Sequence, residues 1–291
     1  MAGSVKKIVK PAPSKQSVTS VLSHLFSRAQ VNGIRCYRGQ SDINWELKPS
    51  VMRGLRPEAE GQIFSELMVE APSDFSADRS MFDKLVRAQH YSLPTRLLDV
   101  SLNPLVALYF ACNEEEHHDK DGVVQILDLS GDRIKFADSD AVSLICNLAR
   151  LSDEEKSEIL TEFKKVRRWD KPAKDQFNRL EPIKRLTQFV RVEKPYFLDA
   201  VSPRDLVRYF FVHPAKNNRR VVAQSGAFIA AGLLEYRGVG KSPSFGLSYI
   251  KIPGSAKPKI LRDLDVLNIN SRTMFPEVEF AAKYIKKKWT A

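Results

Sequence analysis

Two short stretches carry most of the residues whose types suit chemistry. Gln89 to Cys112 sets Gln89, His90, Tyr91, Thr95, Arg96 and Asp99 directly ahead of an apolar run. Polar groups that close to a core segment must be hydrogen-bonded or they cost free energy. A buried Arg96 requires a carboxylate, and Asp99 stands three residues away. The second stretch, Tyr37-Arg38-Gly39, reads as the end of a strand. An arginine on a strand edge followed by glycine presents a fork of donors to a phosphate or a carboxylate. The alternative is a structural ion pair with Asp99 or another acid. Gln224 and Gly226 suit a close backbone approach to a ligand, or else a bulge in a strand. Glu277 follows Pro276 at a helix start, where the helix dipole alone favours an acid.

Known chemical motifs narrow the field further. No Walker loop, dinucleotide-binding glycine pattern, zinc-protease motif or nucleophile elbow occurs. Gly238-Val239-Gly240-Lys241-Ser242 has the wrong spacing for a phosphate loop and reads as a hairpin loop. Cys36, Cys112 and Cys146 are scattered, with neither metal-ligand spacing nor a disulfide pattern, which favours a reducing cytoplasm. No metal site is expected.

The elements that must position these residues follow from periodicity. Val18 to Ala29 predicts a helix with Ser17 or Thr19 as cap, and Ile34 to Arg38 a short strand. Pro57 to Val69 and Arg79 to Ala88 predict two helices, the second running into Gln89-His90-Tyr91. Asn103-Pro104 caps a core helix whose apolar face is Leu105, Leu108, Tyr109 and Cys112. Val123 to Leu129 is a strand. From about 138 to 194 the texture is helical: Ala141 to Leu151, a helix opened by the Ser152–Glu155 capping box and running to about Trp169, and another from Lys174 to Val190 bent at Pro182. Strands follow at Val207 to Val212, Arg220 to Ala223, Gly226 to Leu233 and Leu247 to Ile252. Ser255 to Leu267 reads as a helix interrupted by Pro258, and Pro276 to Trp289 as the last helix. The expected class is α+β: a mixed or antiparallel sheet around one cleft, with segregated helices and an inserted helical lobe. The expected organisation is a flexible tail over residues 1–16 and a single domain over 17–291.

Charge speaks to partners. The 291 residues carry a net +11, with a pI near 9.5. Lys156 to Lys194 holds 12 Lys/Arg against 6 Asp/Glu. A polyanion partner, most plausibly nucleic acid, fits this balance; a merely soluble basic protein is the alternative. Lys164, Lys165, Arg167 and Arg168 are the candidate phosphate contacts, and Trp169 and Phe177 either stack bases or anchor the lobe. No apolar run approaches a membrane span, so no membrane partner is expected.

Tyr37-Arg38-Gly39 and the segment Gln89-His90-Tyr91-Ser92-Leu93-Pro94-Thr95-Arg96-Leu97-Leu98-Asp99, running into Asn103-Pro104, together resemble the FRG domain family. Ser92 stands where that family usually has glycine. Gln224 to Phe228 and Phe275-Pro276-Glu277 resemble later family motifs, so the resemblance spans roughly residues 30 to 288. It is similar in plan to ADP-ribosyltransferase toxins, in which an arginine or histidine on the first strand holds NAD and a late acid drives catalysis. The resemblance therefore implies an NAD-dependent mono-ADP-ribosyltransferase with NAD as co-substrate, acting on nucleic acid, RNA in particular, as a phage-defence toxin held by a cognate antitoxin. It implies Arg38, His90 and Glu277 as catalytic residues, and Tyr37, Arg38, Gly39, Gln89, His90, Tyr91, Thr95, Arg96 and Gln224 as NAD-binding residues. A non-catalytic nucleic-acid or partner-binding sensor with the same pocket is the rival reading.

Overall fold

Strand β1 (Gly33–Gln40) forms because Ile34, Cys36 and their neighbours alternate between two covered faces, and it sits near the centre of everything that follows. The computed structural model describes residues 13–56, 58–216, 218–233 and 245–290. Helix α1 (Val18–Phe26) precedes β1 and is capped by Ser17. After β1 come α2 (Ala59–Glu70), α3 (Met81–His90), β2 (Leu97–Ser101) and α4 (Pro104–Phe110). Next are β3 (Gly122–Ser130) and β4 (Ile134–Phe136), then the helical block α5 (Asp140–Asn147), α6 (Asp153–Lys165), α7 (Lys171–Asn178) and α8 (Glu181–Glu193). The chain closes with β5 (Tyr209–His213), α9 (Arg219–Ala223), β6 (Gly226–Ala231), β7 (Phe245–Ile252), α10 (Lys257–Val266), α11 (Ser271–Met274) and α12 (Val278–Lys288).

The strands make one seven-stranded sheet in the order β4-β5-β6-β2-β1-β3-β7. All neighbours are antiparallel except β4 and β5, so the sheet is mixed and the class is α+β, as the sequence predicts. Helices gather on one face. There α1, α4 and α10 pack on β3 and β7 through Val124, Ile126, Ile250 and Ile252. Beside them α2, α3 and α5 pack on β2, β5 and β6 through Leu97, Phe210, Val212, Phe228 and Ala230. The opposite face, with Cys36, Leu98, Leu127, Phe211 and Ile229, is covered by Leu47 and Met52 of the 41–56 loop. Helices α6 to α8 form their own core around Ile159, Phe177, Ile183, Leu186 and Val190.

The helix caps expected from sequence are present. Asn103 accepts the Leu105 N–H at 2.9 Å, with Pro104 in the first turn, and Ser152 and Glu155 form the reciprocal capping box. Several boundaries differ. Arg220 to Ala223 is helix α9, not a strand, because Asn218 caps it by accepting the Arg220 and Val221 N–H groups. Pro182 begins α8 instead of bending a longer helix, and Pro258 opens α10 instead of interrupting it; proline suits a first turn, where its missing N–H is not needed. The helix begun at Ser152 ends at Lys165, short of Trp169. Strand β2 was hidden in a segment read only as apolar. Of the segment read as a tail, residues 1–12 lie outside those described, and Pro13 to Lys15 lie along β7, hydrogen-bonded to Lys251. The hairpin loop expected at Gly238 to Ser242 also lies outside the described residues.

Arg96 does not pair with Asp99. It is 2% exposed, and its Nε and Nη2 donate to Glu60 Oε1 and Oε2 at 2.8 and 2.5 Å. Nη1 donates to the Ala231 carbonyl at 3.0 Å, and Lys156 Nζ reaches Glu60 Oε2 at 2.7 Å. Strand alternation explains the miss: Arg96 and Asp99 are three residues apart on an extended chain, so their side chains leave opposite faces. The triad joins α2, β2, β6 and α6. Burial pushes the Glu60 carboxyl upward, but Arg96 and Lys156 outweigh it and hold the group below its ordinary 4.5. A carboxylate with a depressed folded value contributes stability that is complete above the unfolded value and lost as pH falls through the folded one. Removing one partner of such a buried network costs about 3–5 kcal/mol. Glu60→Gln should therefore lower the urea midpoint strongly at pH 7, with the gap to wild type narrowing below about pH 4.5 as the wild-type carboxyl is protonated. Equal midpoints at pH 7 would show that the triad does not hold α6 to the sheet.

Candidate functional site

The site begins with a fault in the sheet. Strands β1 and β2 share a single register pair, Tyr37 opposite Ser101, whereas β1 pairs with β3 at every residue from Gly33 to Gln40. Beyond Tyr37 the two strands part. The gap opens a cleft of about 430 Å³, within the range of small-molecule sites. Because it lies in a break in the sheet, its walls draw on both faces: Arg38, Gln40 and Val100 from one, and Tyr37, Gly39, Asp99 and Phe228 from the other.

Gly39 sets the wall. A Cβ there would stand 1.8 Å from the Ala107 carbonyl oxygen, so β1 lies flush against the backbone of α4. The small residues Ala107 and Ala111 of α4 complete this contact. The glycine of the Tyr-Arg-Gly motif is thus a packing requirement, and it brings Phe110 and Val106 to the cleft edge.

Arg38 bridges the fault. Its Nη1 donates to the main-chain carbonyl of Asp99 at 2.6 Å, replacing part of the missing ladder. Its Nε is fully buried and has no hydrogen-bond partner among the described residues. Burial lowers the pKa of the guanidinium and neighbouring Arg53 adds to this, against the opposing pull of Asp99; an arginine remains charged all the same. A buried N–H without a partner carries a full desolvation penalty. Arg53 and Arg220 also line the cleft, and the Arg220 guanidinium lies 4.6 Å from the Phe275 ring centre.

Helix α3 supplies the other wall. Gln89 Nε2 donates to the Leu97 carbonyl at 3.0 Å and more weakly to Asp99 Oδ2 at 3.4 Å, while its Oε1 is buried without a partner. His90 ends the helix. The Asn218 amide nitrogen is 3.1 Å from Nδ1 and 3.5 Å from Nε2 of His90. Near-equal distances to both nitrogens place the amide over the ring face, so neither nitrogen is spent on an in-plane bond. Burial first, then Arg220, lowers the His90 pKa, opposed by Asp99 and Glu277, so the imidazole is neutral at pH 7. Gln224 lines the cleft, with its Nε2 on the Met274 carbonyl at 3.0 Å and its own carbonyl accepting from Ser101 Oγ at 2.7 Å. A Cβ added at Gly226 would lie 3.3 Å from the Val221 carbonyl oxygen of α9.

Other residues expected at the site lie elsewhere. Tyr91 is 52% exposed, edge-on to Phe75, and is not among the residues lining the cleft. Thr95 is buried and structural: its Oγ1 accepts from Leu97, its N–H donates to Ser50 Oγ, and its carbonyl accepts from Val51, which fixes the loop carrying Arg53. Arg96 is spent on Glu60. Glu277 borders a second cleft of about 460 Å³, with Asp83, Asn218 and Arg219, and has one buried carboxylate oxygen without a partner. His90 and Arg220 line both clefts and form the partition between them. Lys164, Lys165, Arg167 and Arg168 are exposed at and just beyond the end of α6. Trp169 stacks on Phe163 at 5.3 Å and meets Phe177 edge-on; Phe177 is 3% exposed and not free to stack bases, while Trp169 is half-buried against the lobe's core. The sequence reading missed Arg53, Arg220, Gln40 and Phe110 as lining residues, since nothing in their spacing marks a fault between two strands.

Residues 34–120 match the model of the FRG domain. The matched segment contains β1, α2, α3, β2 and α4, which build most of the cleft, while Gln224 and Glu277 lie outside it. Comparisons with curated proteins and with solved structures found no match.

The family departure at Ser92 has a conformational meaning. Ser92 turns the chain after α3 with φ +63°, a region natural to glycine. A left-handed non-glycine residue costs roughly 1–2 kcal/mol, and glycine's extra unfolded-state entropy returns roughly 0.5–1 of that. Ser92→Gly should raise stability by roughly 0.5–1 kcal/mol in urea titration. A destabilised variant would mean that the serine makes up for its backbone strain.

Proposed function

We propose that this protein is an NAD-consuming mono-ADP-ribosyltransferase that modifies nucleic acid, most plausibly RNA. The observation that supports it best is the convergence of three arginines, Arg38, Arg53 and Arg220, on one cleft. Charge-assisted donors in a partly dry cleft suit a diphosphate. Tyr37, Trp45 and Phe110 along the cleft offer ring surfaces to a flat heterocycle. NAD fits this donor set and this volume; bound there, it would supply a ribose activated by its positively charged nicotinamide leaving group. Arg38 holds the diphosphate in this reading, Gln89 and Gln224 orient the ribose and ring, and neutral His90, between the two clefts, is placed to take the acceptor's proton. Glu277 faces the acceptor from the neighbouring cleft.

Charge supports the acceptor class. The net +11 and the exposed Lys164, Lys165, Arg167 and Arg168 suit phosphate contacts. Such an activity harms the cell that makes it, and a phage-defence toxin restrained by an antitoxin in the cytoplasm is the biology this reading extends to. Among the described residues no helix is long and apolar enough to cross a membrane. A second reading, a ligand sensor without turnover, is favoured by one observation: Glu277 lines the neighbouring cleft and not the one that holds Arg38.

Incubation of the protein with adenylate-labelled NAD and separate RNA, DNA and protein pools, with nicotinamide release followed in parallel, separates the readings. Nicotinamide release and label on RNA are expected; binding of NAD without release would establish the sensor. Arg38→Ala should abolish release while the protein stays folded, and Arg38→Lys should restore little of it, since an ammonium cannot make two parallel bonds. Full activity in Arg38→Ala would remove Arg38 from the site. Replacing Lys164, Lys165, Arg167 and Arg168 together by glutamine should weaken RNA labelling and its salt dependence while sparing nicotinamide release. Undiminished RNA labelling at physiological salt would put the RNA surface elsewhere.

A further inference from the structure

The cleft that holds Arg38 contains an acid, the last residue of the Gln89–Asp99 segment, read from sequence only as an ion-pair partner for Arg96 or Arg38. Asp99 sits at the third position of β2, where Leu97, Leu98, Val100 and Ser101 are all buried and Asp99 alone is exposed. Its side chain shares a face with Tyr37, Gly39 and Phe228, on the floor where β1 and β2 separate. The obvious structural use of this carboxylate would be an ion pair with Arg38. That pair does not form: Arg38 bonds the Asp99 main-chain carbonyl instead. Among the described residues the carboxylate has one contact, the long 3.4 Å approach of Gln89 to Oδ2. A donor at that distance is weak. Among the described residues the other acid along this cleft is Glu114, exposed beyond the end of α4.

Resting on the NAD reading above, we propose that Asp99 is the catalytic carboxylate of the Arg38 cleft, facing the positive charge of the nicotinamide–ribose half of NAD. The two ends of the site then divide by charge. Guanidinium groups take the diphosphate, and the one carboxylate on the floor takes the cationic end. As the bond between ribose C1′ and the nicotinamide nitrogen breaks, its electron pair leaves with the nicotinamide, which departs neutral. Positive charge moves onto the ribose, where a fixed carboxylate stabilises it more than water does. A lone pair of the acceptor, a nucleic-acid oxygen or nitrogen or a water, forms the new bond to C1′, and the acceptor's proton passes to His90 at the cleft wall. The sheet fault supplies the geometry: Arg38 is held through the backbone of the residue whose side chain it leaves free.

Binding tests the assignment without turnover. NAD carries a cationic ring, NADH a neutral one and ADP-ribose none, while all three share the diphosphate. Calorimetry on the wild-type chain should show NAD bound roughly three- to tenfold more tightly than NADH, a preference of the size expected for one carboxylate–cation contact. Asp99→Asn keeps the shape and the Gln89 contact; it should abolish the preference, leave ADP-ribose affinity within twofold, and slow nicotinamide release by about a hundredfold or more. Asp99→Glu should restore the preference for NAD, and melting curves should show all variants folded. If wild type binds and cleaves NAD and Asp99→Asn does so equally well, the assignment to Asp99 is wrong and the NAD reading stands. If wild type binds none of the three nucleotides, the NAD reading fails and the assignment falls with it.

Discussion

Arg96 is one of the most buried side chains in the protein, and its charge is tolerable only because Glu60 meets it with both oxygens. A guanidinium withdrawn from water without a partner would cost several kcal/mol. Glu60 is shared with Lys156, whose own pKa burial depresses and Glu60 partly restores. One carboxylate thereby serves two cations from two different elements. The arrangement fixes α2 and α6 to the first residues of β2, and Arg96 also reaches β6 through Ala231. Hydrophobic packing alone permits small slides of helices over a sheet. A bidentate pair with a third charged partner does not, because any shift leaves a buried charge unpaired.

The consequence for the cleft is geometric. Asp99 lies three residues beyond Arg96 on the same strand, and Gln89 holds that strand to α3 through the Leu97 carbonyl. Thr95, just before Arg96, fixes the loop that brings Ser50 and Arg53 to the opposite rim. The motif residues that do not touch the cleft therefore place those that do. On the other side Gly39 allows α4 to lie directly on β1, and its helix cap at Asn103 fixes where α4 starts. Between these two fixed walls β1 and β2 have no need to pair beyond Tyr37, and the gap is held open by the elements around it. An open ladder leaves polar backbone unsatisfied, and Arg38 satisfies one such carbonyl. The same bond leaves the Asp99 carboxylate without an ion pair to Arg38.

Sequence by itself determined the local features, because these depend on short-range chemistry. The caps at Ser17, Asn103 and Ser152 were legible from residue type alone, as were β1, β3, α3 and α4 from apolar periodicity. So was the mixed α+β class, and the assembly of Tyr37, Arg38, Gly39, Gln89, His90 and Gln224 around one cleft. Where local signals competed, reading failed. Arg220 to Ala223 has a strand-like composition, yet the Asn218 cap turns it into helix. Pro182 and Pro258 could break helices or begin them, and only the neighbouring packing chose.

Tertiary structure alone decided which charges meet. Asp99 was the nearest acid to Arg96 along the chain, but strand alternation sends the two apart, and the partner came from 36 residues earlier. Trp169 and Phe177 looked equally suited to bases or to a core; Phe177 is core, and Trp169 packs half-buried between it and Phe163. The fault between β1 and β2 leaves no trace in composition or spacing, because it is a property of two strands and of the helices that hold each one. For the same reason Arg53, Arg220 and the open carboxylate of Asp99 became visible only once the strands were seen to part: a site made by a missing pairing cannot be read from either strand alone.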